Sequence, residues 1–297
     1  LNTTNLVTGN YVLNVPCYYD TGADTTLVAI SAWTTGLNNY IKIYTPANTL
    51  SECNQSQRHN GKWHDTKYQL YVSKTWGGVI GIDDTTYKNT YIRIEGLQIN
   101  NYGDKSSQPD GIEFLTVTGN NEVWIGNNIL KASGGGTADI DCMGIDFWAD
   151  PSAFTGTFKV WNNISYDWGV GIYLYNYGSW SGYIYNNTCV NNNTTGIMIN
   201  GASGPAGSFR VINNLVQGIA TNYDFTDMGV NTTYFTNLSQ DGTSPNSAFR
   251  NKTVSFVGAA DYHLQSSDVE AREKGTDLSS DSYLPFSHDI DYEMRPY

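Results

Sequence analysis

The chain has 297 residues, a formal charge of −12 and only 15% charged side chains. Apolar residues at 39% and aromatics at 13% suffice for a core and exclude a disordered chain. The dominance of Tyr, Thr, Asn and Gly over the strong helix formers excludes a helical one. No basic stripe exists to neutralise phosphates, which argues against nucleic acid and anionic membranes, and no apolar run is long enough for a membrane span.

Residues 1–84 are Thr- and Tyr-rich, with strand-like runs such as "YVLNVPCYY" and "YIKIYTP". The chain begins at Leu1 without Met, which suggests removal of an upstream segment. Cys17 and Cys53 flank one segment and either form a disulfide or remain two buried thiols. None of the four cysteines stands in a Cys-x-x-Cys pair, so no zinc site is expected. His59 and His64 lie in "RHNGKWHD", whose glycine makes it a loop rather than a helix presenting two metal ligands.

From residue 85 the chain repeats itself. "VWIGNNIL", "VWNNISY", "YIYNNTC" and "VINNLVQ" each stop an apolar run with Asn-Asn and resume it. The second asparagines, Asn128, Asn163, Asn187 and Asn214, are 35, 24 and 27 residues apart. Leu97 in "YIRIEGLQI" occupies the same place upstream, and Asn237 in "YFTNLSQ" downstream. A second phrase keeps step, with "GIEF", "GIDF", "GIYL" and "GIMI" starting at Gly111, Gly144, Gly171 and Gly196. Two alternating phrases at a common period predict a solenoid with at least two short strands per coil. The asparagines suit bends with left-handed backbone, and stacking coils about 4.8 Å apart would let their amides hydrogen-bond along the stack. Residues 1–84 are then expected to cap the open end, 85–257 to form the coils and 258–297 to close the other end as an irregular tail.

Periodicity also assigns faces. Ile94, Ile125, Val160, Ile184 and Val211 should point inward from one strand of each coil, with Arg93, Trp124, Lys159, Tyr183 and Arg210 outward. A second outward row holds Glu95, Gly126, Trp161, Tyr185 and Ile212. In the other strand, Ile112, Ile145, Ile172 and Ile197, then Phe114, Phe147, Leu174 and Ile199, face in. Glu113, Asp146, Tyr173 and Met198 face out, followed by Leu115, Trp148, Tyr175 and Asn200. Rings beside cationic donors (Trp124, Lys159, Trp161, Tyr183, Tyr185, Arg210, with Trp148, Tyr173 and Tyr175 on the other strand) suit a sugar polymer. Stacked Glu113 and Asp146 must share a proton or a cation such as calcium. Asp110 precedes the same strand, and Asp139, Asp141 and Asp150 surround the next.

These strand–Asn bend–strand coils resemble the pectate-lyase-like right-handed parallel β-helix superfamily over about residues 85–240. The closing stretch from "DYHLQ" to "DIDYEMRPY" is similar to the tail of many secreted or surface β-helix proteins. The resemblance implies an all-β, single-stranded right-handed parallel β-helix, a fold that hosts lyases, hydrolases, epimerases, phage tailspikes and adhesins. "QPDGI" at 108–112 loosely resembles a polygalacturonase motif, with Asp110 in the aspartate's place, but the family's paired aspartates, Gly-His-Gly and Arg-Ile-Lys phrases are missing. The family's lyases use Arg or Lys near calcium-binding acids, and Lys131 and Lys159 are the candidate lysines near the acidic coils.

Three classes of function follow. The first reading is an extracellular, cell-surface or virion protein that binds polysaccharide or glycan along an exposed sheet face. The alternatives are a polysaccharide lyase or glycoside hydrolase using Glu113, Asp146 and Asp110, with calcium as cofactor, and a self-associating structural subunit of a filament or layer. Neither nucleic acid nor membrane insertion is expected.

Overall fold

A computed structural model describes residues 4–83, 90–115, 119–148, 154–175, 179–200, 207–226 and 232–295. Three long parallel sheets wind around one core as a parallel β-helix. The first sheet has eight strands: Leu13–Pro16, Ile41–Tyr44, Tyr91–Glu95, Gly119–Gly126, Phe154–Trp161, Ser179–Tyr185, Ser208–Ile212 and Thr232–Phe235. The second runs from Leu70–Val72 through Gln98–Asn101, Ile129–Ala132, Ile164–Tyr166, Thr188–Val190 and Leu215–Gln217 to Leu238–Ser239. The third runs from Val28–Ile30 through Gly77–Asp83, Pro109–Leu115, Met143–Trp148, Val170–Tyr175 and Thr195–Asn200 to Thr221–Asp224. Each coil therefore carries three strands, one more than the two phrases visible in the sequence. The extra strand is the short run directly after each Asn pair.

The inward rows align as their periodicity demands. Ile94, Ile125, Val160, Ile184 and Val211 are register partners and fully buried. So are Ile112, Ile145, Ile172 and Ile197 on the third sheet. Burying a whole aliphatic or aromatic side chain contributes about 1.5–3 kcal/mol each, which makes this column the main stabiliser of the stack.

The Asn pair divides its work. The first member takes the left-handed backbone conformation: φ is 58° at Asn127, 52° at Asn162, 55° at Asn186 and 58° at Asn213. The second builds the ladder. Asn163 Oδ1 accepts from both the backbone N–H and the Nδ2 of Asn128, each at 3.0 Å. Asn187 serves Asn163 likewise, Asn214 serves Asn187, and Asn237 serves Asn214. Each Nδ2 also reaches a carbonyl of the preceding coil, as Asn163 does to Ile125 at 2.9 Å. At the upstream end the backbone N–H of Leu97 donates to Asn128 Oδ1.

Two expectations about the ends change. The sheets extend well into residues 1–84, since Leu13–Pro16 pairs in register with Ile41–Tyr44 and Val28–Ile30 with Gly77–Asp83. Long insertions hide this, because they break the period while leaving the strands able to stack. The four-residue helix Leu6–Gly9 and a 3-10 turn at Ser247–Phe249 are the helical pieces among the described residues. All four cysteines are free: the Cys17 thiol leans on Val15 O and that of Cys53 on Asn48 O.

The tail does more than close an end. Leu278 and Leu284 pack against Trp161, Tyr185 and Ile212 on the outer face of the first sheet. Asp281 pairs with Arg210 at 3.2 Å, and Tyr283 stacks on Tyr183 at 5.0 Å between ring centroids. Thr276 exchanges two hydrogen bonds of 2.8 Å with Asn213, and Arg295 donates to Asn162. The hairpin Phe256–Gly258 and Asp261–Leu264 lays Phe256 and Tyr262 over the second sheet, against Ile129, Ile164, Tyr166 and Val190.

Candidate functional site

The two outer faces that carried candidate residues have different fates. On the first sheet the outward register is as periodicity requires, with Arg93, Trp124, Lys159, Tyr183 and Arg210 side by side. The second row, from Glu95 and Gly126 to Trp161, Tyr185 and Ile212, is aligned too. Yet Trp161 is 8% exposed and Tyr185 is fully buried, so the expectation that these rings face water does not hold. The tail lies on them. Arg210 is held by Tyr185 Oη and Asp281, and Tyr183 by the ring of Tyr283. Trp124 is sandwiched by neighbours of its own row: the Arg93 guanidinium lies 3.9 Å and the Lys159 ammonium 4.7 Å from its ring, and Trp161 meets it edge-on. Lys159 also pairs with Glu122 at 3.5 Å. This aromatic–cation row is an internal joint.

The third sheet keeps an acidic cluster beside an exposed Trp148. Glu113 and Asp146 are register partners on adjacent strands, followed by Tyr173 and Met198. Asp110 joins them from the start of Pro109–Leu115, and one carboxylate oxygen from each of the three lies within 4.8 Å of the others. All three are buried: Asp110 is 4% exposed, Glu113 9% and Asp146 7%. Backbone amides fix two of them. Gly78 N–H donates to Glu113 Oε2 and Met143 N–H to Asp110 Oδ1, both at 2.8 Å. Asp146 Oδ1 is buried without a hydrogen-bond partner. Burial, then the charges of Asp146 and Glu113, pushes the Asp110 carboxyl well above the usual carboxylate range. Burial, then Glu113 and Asp141, does the same to Asp146. Burial is also the main reason that the Tyr173 hydroxyl is held up, with Asp146 next. Asp141 stands at the margin, accepting from Gln108 Nε2 at 2.7 Å, whereas Asp139 caps Ile140 N–H and Asp150 lies outside the described residues.

Beside the acids is an aromatic ledge. The rings of Trp148 and Tyr175 stack at 4.6 Å and 5°, with Tyr173 at 6.4 Å from each. Trp148 is 45% exposed while Tyr173 is nearly covered. Met143, Val170 and Met198 pack around Tyr173 and give the ledge an apolar floor.

Three hard oxygen donors could hold a divalent cation, and two strongly perturbed aspartates could instead share protons. The two candidate lysines take no part. Lys131 sits on the second sheet over the Trp63 ring, 3.7 Å away, and Lys159 on the first. The histidines are no metal pair: His59 Nε2 bonds Asn127 O, burial drives its pKa down to about 3, and His64 Nδ1 bonds Thr66. Sequence reasoning missed Gly77 and Gly78, which underlie Glu113. A Cβ at Gly77 would stand 2.6 Å from Glu113 Oε2, and one at Gly78 2.8 Å from Glu113 Cβ. The doubled glycine in "TWGGV" was the available signal, since a strand tolerates two only for a close approach.

Compared with protein-family models, curated proteins and solved structures, the chain finds no match.

Proposed function

We propose that this is an extracellular, cell-surface or virion β-helix protein that binds polysaccharide or surface glycan on the outer face of its third sheet. The Trp148–Tyr175 pair carries the reading, because a parallel ring stack with Trp148 45% exposed offers an apolar ring face for a pyranose to stack on. The acidic edge next to it supplies acceptors for sugar hydroxyls. With the first-sheet aromatics covered by the tail, this ledge is the surviving candidate surface of those read from the sequence. Low charge and abundant Asn, Thr and Ser accord with an outside setting.

Binding to a panel of neutral and acidic polysaccharides tests the reading. Trp148→Ala and Tyr175→Ala should each weaken binding at least tenfold while leaving the melting temperature within a few degrees. Binding that both variants retain in full refutes the site, and a panel without any ligand refutes the function.

The raised Asp110 and Asp146 favour one other reading, a glycoside hydrolase or polysaccharide lyase in which a protonated aspartate serves as general acid. Release of reducing or unsaturated ends that Glu113→Gln/Asp146→Asn abolishes would establish it.

A further inference from the structure

Asp110, Glu113 and Asp146 form a cluster with too much like charge for its surroundings. They come from two successive coils, and Glu113 is fastened through Gly78 to the coil before. No ion pair with Lys or Arg joins any of the three among the described residues. Carboxylates are expensive to bury unless paired or bound to metal. Asp146 adds a separate observation. It is only 7% exposed, and its Oδ1 has no hydrogen-bond partner. A buried acceptor without a donor, aimed among two other carboxylates, calls for a cation between them.

Spacing and donor chemistry narrow the choice. Oxygens that share one calcium ion at about 2.3–2.6 Å lie no farther apart than about 5 Å, which accommodates the 4.8 Å envelope of the three. Magnesium demands a stricter octahedron and usually keeps several waters, which suits a buried cluster of three carboxylates less well. Zinc prefers nitrogen and sulfur donors, and the cluster offers neither. Burial of all three carboxylates seats the ion within the protein wall beside the Trp148 ledge.

We propose that Asp110, Glu113 and Asp146 bind one calcium ion that staples consecutive coils of the solenoid from within the third sheet. The ion relieves the repulsion along the axis and locks the strands that present Trp148. The site does not depend on the glycan reading. Its failure would leave the ledge untouched, and the reverse holds.

The experiment uses the full chain, stripped with EDTA and titrated with calcium by calorimetry and thermal melting. One calcium per chain should bind, and a hundredfold excess over Kd should raise the melting temperature by on the order of 5 °C. Glu113→Gln and Asp146→Asn should each reduce calcium affinity at least tenfold. Asp146→Asn should also raise the melting temperature of the stripped protein, because it removes one of three crowded charges. Terbium should replace calcium and show emission sensitised by Tyr173 and Trp148, a local readout if either variant folds poorly. Absence of calcium binding at millimolar concentration overturns the proposal. So does binding that both variants leave unchanged, or magnesium binding more tightly than calcium.

Discussion

Replacing Asn163 by Ala separates the ladder from the bend it sits in. The Asn163 carboxamide is 1% exposed and makes four hydrogen bonds: two accepted from Asn128, one donated to Ile125 O and one to Asn187 Oδ1. Truncation removes all four, but the damage is uneven. Asn128 Nδ2 keeps Ile94 O, and Asn187 Oδ1 keeps the backbone N–H of Asn163. The Asn128 N–H is left inside a dry bend without the acceptor it had, at about 1–3 kcal/mol. The three other lost bonds add about 0.5–1 kcal/mol each, because their partners stay partly satisfied. The sum is a loss of roughly 2.5–6 kcal/mol, a large part of the stability of any single domain. Urea unfolding followed by tryptophan fluorescence would show it as a lower midpoint. A fall in slope as well would mean that the coils on either side melt separately. A loss under about 1 kcal/mol would refute the reasoning, since water or a relaxed backbone would then have replaced the ladder.

Three further outcomes follow from the same contacts. His263 is clamped between Asp261 at 2.5 Å and Asp291 at 2.7 Å, and these partners, Asp291 foremost, raise its pKa from 6.5 to about 9 against the opposing pull of burial. A raised histidine pKa stabilises the fold fully below about pH 6.5 and ceases to do so as pH rises through about 9. Because the ring is 33% exposed, the effect is discounted to about 1–2 kcal/mol, and His263→Gln should flatten the melting profile between pH 6 and pH 9.5. An unchanged profile would remove His263 as its cause. Thr236 holds a left-handed φ of 48° where the four preceding coils use Asn, so Thr236→Asn should stabilise by about 1 kcal/mol in urea. A destabilised variant would show that the Thr236 hydroxyl's bonds to Asn213 and Thr276 outweigh the strain. Removing residues 260–297 should uncover Trp161, Tyr185 and Ile212 and increase binding of a hydrophobic dye. Dye binding equal to that of the intact chain would contradict the tail's role as a cover.

In a solenoid most contacts join residues one coil apart, so a period written in the sequence is already a contact map. That is why the Asn163–Asn187 ladder, the buried isoleucine columns and the adjacency of Asp146 with Glu113 and Tyr173 were legible in the sequence. The alternation of each strand settled which of these residues turn inward. Contacts that leave the period were not legible. The tail meets the first sheet at separations such as Arg210 to Asp281, and its segment repeats nothing, so only packing of Leu278 and Leu284 onto an apolar stripe decides where it lies. The same holds for the early coils, whose long insertions disguise the register of Leu13–Pro16 with Ile41–Tyr44. It holds too for Lys131 and Lys159, which the three-sided coil sends to different faces, away from the acids. Sequence alone fixed what stacks on what, because that is set by neighbour-to-neighbour repetition. Tertiary structure decided what stays open to a ligand, because covering a face depends on where a distant, aperiodic segment finds apolar surface to bury.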